Sequence, residues 1–417
     1  MGFQQGLSGL NAASKNLDVI GHNIANSNTT GFKSSRADFA EMVASAIGSA
    51  SGQSSGIGVN VAAVSQQFRQ GSITSTGNSL DIAINGNGFF VVKQADGSTA
   101  YTRAGNFGLD KEGNLKTVDN DNVMGYMVDP ATGKIQSGAT PVPLSFPTGQ
   151  PIPAKQTSKV GVELNLDSRA TLAAGDATAT PPIAATPRAT YGTSLNVYDT
   201  QGTAIPVNLY FEKDATGNTW NIYNSLDATA TPIGQATFDA SGKLTGVTPG
   251  TGTSLNLSIN GGTANPNGLP AFDVAFDFGG LTQFGAKFAV SSLKQDGYTS
   301  GALTGINVGR DGSIVAAYSN GVTRTEGQIA LAAFTNTQGL GSIGNNKWVQ
   351  TADSGPALNG SAQTGTFGSL QAGALEESNV DLTAELVNMM TAQRSYQANA
   401  QTIKTQDQVF STLVNLR

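Results

Sequence analysis

Leu382-Thr-Ala-Glu-Leu386-Val-Asn-Met389-Met-Thr-Ala-Gln-Arg394-Ser-Tyr396-Gln-Ala-Asn399-Ala-Gln-Thr-Ile403-Lys-Thr-Gln-Asp-Gln-Val-Phe410-Ser-Thr-Leu413 closes the chain. Leu382, Met389, Tyr396, Ile403 and Phe410 recur every seven residues, flanked by Leu386, Ala400, Leu413 and Val414. This is the spacing of a helix that meets another helix along a narrow seam. Ser378-Asn-Val-Asp381 is a helix start signal, and neither Gly nor Pro follows it up to Arg417, so at about 1.5 Å per residue the helix extends near 55–60 Å. The same period appears at the other end, where Phe3, Leu10, Leu17 and Ile24 recur with Gly6, Ala13 and Ile20 offset from them by three. The two stripes are expected to find each other. The other faces of the C-terminal helix carry Gln393, Gln397, Asn399, Gln401, Gln406 and Gln408. Such polar, nearly uncharged faces suit repeated contact with copies of the same helix, or a wetted channel wall.

Between these ends the sequence is β-like and punctuated by glycine. Leu80–Val92, Tyr101–Leu115 and Gly305–Ala317 read as short strands, and so do Leu195–Gly202, Val207–Glu212, Trp220–Tyr223 and Ala236–Leu244. Short strands joined by Asp-x-x-Gly turns argue for sandwiches or barrels rather than βαβ units. The fold class is therefore a mainly β multi-domain protein with N- and C-terminal α-helices pairing as a coiled-coil-like inner domain. Proline marks the divisions: none precedes Pro130, and only Pro356 follows Pro270. The expected organisation is a helical polymerisation domain from residues 1–30 and 375–417, linkers at 31–70 and 365–374, a β-rich outer domain from 71–147 and 290–364, and an inserted β-rich domain at 148–289. The Gly- and Ser-rich stretch Ser45–Gly58 is expected to be a pliant linker between subunits.

Composition excludes several classes. With 417 residues the chain can bury a core in each of several domains. Its net charge of −6 and the lack of any Lys/Arg cluster disfavour nucleic acid. No window approaches a membrane span, and no basic region followed by an apolar core opens the chain. The absence of cysteine excludes disulfides and thiolate sites. Gly86-Asn87-Gly88 is a tight turn rather than a dinucleotide loop, for no third glycine follows at Val91. Asp119-Asn-Asp121-Asn122 lacks the Glu of a calcium loop and reads as a solvated turn. His22 is the only histidine, which removes any two-imidazole relay. Glu376-Glu377 is expected to complement the exposed N–H groups at the start of the C-terminal helix rather than to form a glycosidase pair. No catalytic residue, cofactor or metal is expected.

Three blocks carry a resemblance. Asn16-Leu-Asp-Val-Ile20-Gly-His-Asn23-Ile-Ala25-Asn26-Ser-Asn-Thr-Thr30-Gly31-Phe32-Lys33 resembles the N-terminal signature of bacterial flagellar rod and hook proteins. Leu80–Phe90 with Tyr101–Phe107 resembles their shared outer β-domain, and Asn379-Val-Asp-Leu followed by Met390–Asn399, including Arg394 and Tyr396, resembles the matching C-terminal signature. His22 departs from the family, which commonly carries Asn there. The insert between about Pro147 and Val290 resembles that of the hook members; a distal rod protein is similar at both ends but much shorter.

The resemblance implies a hook subunit that self-assembles into a curved helical tube. The tube transmits motor torque from rod to filament as a universal joint and encloses the export channel. Implied partners are many copies of the chain itself, the distal rod protein, the hook cap and hook–filament junction proteins, and the flagellar type III export apparatus, with no nucleic acid and no membrane insertion. The location implied is the flagellar hook, outside the cell, reached without a cleaved signal. A distal rod or other axial protein is the alternative within the family. A surface adhesin or carbohydrate-binding β-protein would share the Gly/Thr/Asn-rich strands without needing a helical stripe at each end.

Overall fold

Alternation with period two accounts for most of the chain. In Lys159–Asp167 the side chains of Val160, Val162, Leu164 and Leu166 are buried and their neighbours are not, the pattern of a strand with one face on a core. The computed structural model describes residues 2–43, 56–129, 134–136, 138–146, 149–259 and 269–415. It resolves into two compact units, the first comprising Met1–Gly149, Thr304–Ala317 and Thr323–Arg417, the second Gln150–Leu303 with Tyr318–Val322. The protein is mainly β, with one helix at each end of the chain: α1, Gly2–Ala25, and α2, Leu382–Asn415.

The second unit is a sandwich. One sheet runs Ser254–Ile259, Phe272–Phe284, Lys159–Asp167, Ala289–Gln295; the other runs in chain order from Gly192–Tyr198 to Leu244–Thr248. Their inner faces share a core around Trp220, Phe211, Phe276, Phe278 and Leu166. The unit extends beyond the expected return near residue 290, because Ala289–Gln295 pairs antiparallel with Lys159–Asp167. Hairpin turns follow the Asp-x-x-Gly pattern. Asp239 Oδ1 accepts from the N–H of Ser241 and Lys243 at 2.9 Å each, and Gly242 takes φ +81°, which a side chain would resist.

Asp296 fastens the end of this unit's edge strand. Its carboxylate accepts from Ser158 N at 2.8 Å, Ser158 Oγ at 2.7 Å and Lys159 N at 3.0 Å. Burial pushes the carboxyl pKa up, but these donors, with Lys155 nearby, outweigh it and hold the group down at about 2. A carboxyl depressed on folding contributes stability that is present above its unfolded pKa of about 3.9 and is lost as pH falls through the folded value. Hydrogen exchange of residues 159–167 should accelerate between about pH 4 and pH 2, and Asp296→Asn should flatten that dependence. An unchanged acid profile in the variant would refute the assignment.

In the first unit, the described residues form a 12-stranded sheet in which Phe89–Lys93, Thr99–Thr102, Asn122–Met127 and Thr323–Ala333 are neighbours. Phe89, Tyr101, Tyr126, Ala330, Ala332 and Trp348 pack on one face of it. Two shorter pairings bring the late chain back to the early chain: Ser369–Ala372 on Ile82–Asn85, and Ala374–Glu376 on Ile73–Ser75. Strand pairing therefore occupies residues 369–374, within the stretch expected to be a linker. Ser35–Val43 and Gly56–Gln66 likewise form an antiparallel ladder, Ser35 opposite Gln66 and Val43 opposite Gly56. Most of Ser45–Gly58 lies outside the described residues, as does Pro147.

The turn at Asp119-Asn-Asp121-Asn122 differs from a solvated one. Asp121 is buried and takes Lys347 Nζ at 2.6 Å, with Asp119 on the same ammonium at 3.1 Å. Both carboxylates are engaged by the Lys347 ammonium.

Candidate functional site

The two helices form one antiparallel pair, and Gly6 and Gly9 of α1 lie in their contact. A Cβ on Gly6 would stand 3.1 Å from Ile403 Cγ1, and one on Gly9 would stand 2.9 Å from the Asn399 amide. At the other end Asn23 Nδ2 reaches Glu385 Oε1 at 3.1 Å. Gly6, Ala13, Ile20 and Asn23 are buried on α1, and Ala392 is buried on α2. Glycine and alanine let the backbones approach closely, which replaces the bulk of a leucine seam. Asn23 also exchanges two hydrogen bonds of 2.8 Å with the main chain of Ser35, so a 1 % exposed amide joins α1, α2 and the first strand.

The expected seam residues divide between the inside and the outside of this pair. Ile20 is buried, while Leu10, Leu17, Ile24, Met389 and Ile403 are half-buried. Phe3, Leu382, Leu386, Tyr396 and Phe410 are exposed, and the Leu413 side chain lies outside the described residues. Of the motif residues, Asn399 sits against Gly9, whereas Ala25 and Arg394 are exposed. Asn26 caps the end of α1 by donating from Nδ2 to His22 O at 2.9 Å. Thr30 O accepts from Asn346 Nδ2 at 3.0 Å. Phe32 is buried, its ring 5.5 Å from that of His22. Gly31 takes φ +70°, and a Cβ there would lie 2.6 Å from Ala104 N, so glycine serves both the turn and the close approach.

Asp381 starts α2, its Oδ1 accepting from Thr383 N at 2.9 Å and Ala384 N at 3.1 Å. The polar outer face of this helix is partly self-satisfied. Thr391, Thr402, Thr405 and Thr412 each donate the hydroxyl to the carbonyl four residues earlier.

A buried charge cluster sits where both helices leave the β-structure. Glu376 Oε1 accepts from Lys33 Nζ at 2.6 Å and Gly71 N at 2.9 Å, and Oε2 accepts from Arg103 Nη1 at 3.0 Å. The Lys33 and Glu376 side chains are 0 % exposed and Arg103 5 %. Burial pulls the Lys33 ammonium below its ordinary pKa, with Glu376 opposing the shift and Arg103 adding to it. Two cations face one carboxylate, so main-chain carbonyls complete the shell: Arg69 O takes Lys33 at 2.8 Å and Gly86 O takes Arg103 Nη2 at 2.8 Å. The role expected for Glu376 at the start of the helix is thereby corrected; it lies in the strand Ala374–Glu376, withdrawn from α2. Asn379 completes the junction, accepting from Ser34 N at 2.7 Å and donating to Gln67 O at 2.7 Å.

Comparison with known proteins covers the same parts. Residues 3–33 match the Flagella basal body rod protein family, 83–159 the Flagellar hook protein FlgE/F/G D1 domain, 165–298 the Flagellar basal body protein FlaE D2 domain, and 371–416 the Flagellar basal body rod FlgEFG protein C-terminal family. The chain is 44% identical over 429 residues to the Flagellar hook protein FlgE of Escherichia coli K12, and 43% identical over 424 residues to that of Salmonella typhimurium, covering 100% of both chains in each case. It is 34% identical over 460 residues to the Treponema pallidum protein of the same name, covering 99% of this chain and 98% of that one. A crystal structure of Helicobacter pylori flagellar hook protein FlgE2 covers 73% of this chain and all of its own at a TM-score of 0.51 and 18% identity, a likeness of fold. With a helix pair at the chain ends, a D1-like and a D2-like β-unit between them, and full-length identity above 40%, the chain belongs to the flagellar hook protein family and is a structural subunit of the bacterial hook.

Proposed function

We propose that α1 and α2 are the assembly element of this hook subunit, and that the stripe residues left outside their pair are covered by neighbouring copies in a curved tube around a channel. The observation that carries this reading is the division of labour within each stripe. Small residues close the pair inside one chain, and large apolar side chains such as Phe3, Leu386 and Phe410 remain in water. A repeated heterologous contact that does not close a ring builds such a tube. In this reading the chain carries out no reaction. Its further partners are the distal rod protein, the hook cap and the hook–filament junction proteins, and it reaches the hook through the flagellar type III apparatus without a cleaved signal.

Tyr396 provides the test. It is 37% exposed beside the contact row of α2. Tyr396→Asp would place a charge there that assembly withdraws from water without a partner, at a cost of several kcal/mol per contact. Calorimetry of the monomer should give β-unit unfolding within about 0.5 kcal/mol of wild type. Sedimentation and electron microscopy should find no tubes. Normal tubes from the Asp variant would mean that Tyr396 stays in water in the assembly, and the reading would fall.

A further inference from the structure

In an Asn-Gly dipeptide the main chain can attack the asparagine side chain, because glycine puts no carbon beside its nitrogen and the two groups are already neighbours. Four such pairs lie among the described residues: Asn85-Gly86, Asn87-Gly88, Asn320-Gly321 and Asn359-Gly360. Three are held in place. Asn85 ends the strand Ile82–Asn85, opposite Ser369, and Gly86 N donates to Gln70 Oε1 at 2.9 Å. Asn320 donates from Nδ2 to Thr299 O at 2.7 Å and accepts from Val322 N at 3.0 Å, while Gly321 N donates to Tyr318 O. Asn359 and Gly360 stand opposite Ala332 and Leu331, where strand pairing fixes an extended backbone. Asn87-Gly88 differs. It lies in the loop between Ile82–Asn85 and Phe89–Lys93 with the Asn87 side chain exposed, and among the described residues neither that amide nor Gly88 N has a hydrogen-bond partner. Gly88 is buried, so an N–H without an acceptor is costly there, and any reaction that removes its hydrogen relieves that cost.

We propose that Asn87 is a self-modifying site whose conversion loosens a strand joint. Gly88 N bonds to Asn87 Cγ, the Cγ–Nδ2 bond breaks, and the Gly88 hydrogen leaves with the amide as ammonia. Water then opens the cyclic imide at either carbonyl. Opening at Cγ leaves aspartate. Opening at the main-chain carbonyl leaves isoaspartate, in which the chain runs through Cβ and Cγ and the old carbonyl becomes a free carboxylate. That carbonyl is the acceptor of Gly368 N at 2.8 Å, immediately before Ser369–Ala372 pairs with Ile82–Asn85. An added main-chain carbon displaces it, and the return of the late chain onto the early chain loses its first hydrogen bond. The neighbouring Gly86 O, which takes Arg103 Nη2 at 2.8 Å, lies in the same loop. The chemistry needs only water, and it proceeds in the free chain and in an assembled one alike.

The test ages the full chain in mildly alkaline, heavy-oxygen water, beside a second sample kept unfolded in urea, and maps both by fragmentation mass spectrometry after digestion. In the folded chain Asn87 should convert several-fold faster than Asn85, Asn320 or Asn359, with one heavy oxygen taken up per conversion. In urea the four sites should convert alike. Equal rates in the folded chain, or conversion of Asn87 only after unfolding, would overturn the site. In the isoaspartate fraction, hydrogen exchange of Gly368 N–H should accelerate several-fold, and an unchanged rate would overturn the link to strand pairing. Asn87→Gln, whose longer side chain closes the ring far more slowly, should show neither change on ageing. Faster exchange at Gly368 in the aged variant would likewise overturn that link.

Discussion

Glu376→Gln destabilises the first unit by about 3–5 kcal/mol, the cost of removing one side of a buried ion pair. The size follows from the charge count at the cluster. Wild type holds Lys33 and Arg103 against one carboxylate; the glutamine keeps an acceptor but leaves two cations with only the Arg69 and Gly86 carbonyls and the Phe89 ring, 5.4 Å from the guanidinium. Lys33→Met should cost less, because Arg103 and Glu376 then form a balanced pair and the methionine fills most of the volume. Urea titration of the monomer, followed by exchange protection of residues 73–75 and 374–376, measures both. Equal losses in the two variants would show that packing, rather than uncompensated charge, sets the stability of the junction.

Gly9→Leu abolishes tube formation while leaving the β-units folded. A Cβ at Gly9 already stands 2.9–3.0 Å from the Asn399 amide, and three further carbons have no room unless the helices part. Overpacking of this kind costs about 1–3 kcal/mol. The gain in helix propensity of about 1 kcal/mol offsets part of it inside α1, but not the displaced helix axis. A displaced axis matters more in a polymer than in a monomer, since the same misfit recurs in each copy. Asn399→Ala in the same chain should restore some assembly by removing the obstructing amide. Gly21 is the contrasting site: a Cβ there meets nothing within 4 Å, and Gly21→Ala should strengthen α1 by about 0.5–1 kcal/mol. Normal tubes from Gly9→Leu, seen by electron microscopy, would show that the pair tolerates a wider separation.

The fold class and the helix pair were legible because periodicity is a local property. Seven-residue recurrence at each end and alternation between them need no knowledge of what is distant. The row that closes the pair was legible in part, since Gly6, Ala13 and Ile20 were read at an offset of three from the apolar stripe, while Gly9 and Asn23 were not placed in it. The apolar stripe headed by Phe3 is the stronger hydrophobic signal, yet the contact uses Gly6, Gly9 and Ala13, which carry almost no hydrophobic signal and act by letting backbones approach. The Lys33–Arg103–Glu376 cluster had no signature at all. Its members come from three segments brought together by strand pairing, and Glu376 looked like a helix-start acid because it lies six residues before α2. Ser35–Val43 was hidden for another reason: its partner, Gly56–Gln66, lies beyond a Gly- and Ser-rich stretch that suggested a linker.

The antiparallel pair also imposes an order in time. A chain made from its N-terminus completes α1 first, and the early strands reach it through hydrogen bonds of Asn23 with Ser35 and of Ser8 with Val59, but the Gly6–Gly9 face lacks its Ile403 and Asn399 partners until the 34-residue α2 exists. Closing so long a loop adds little in itself, since each doubling of length costs only about 0.6 kcal/mol. The wait is what counts. A glycine-bearing helix of this length is marginal alone, so α1 is fully held only once α2 has packed on it. In the assembly proposed here, the packing of α2 on α1 therefore sets when the Gly6–Gly9 face of α1 is closed and the pair ready to meet its neighbours.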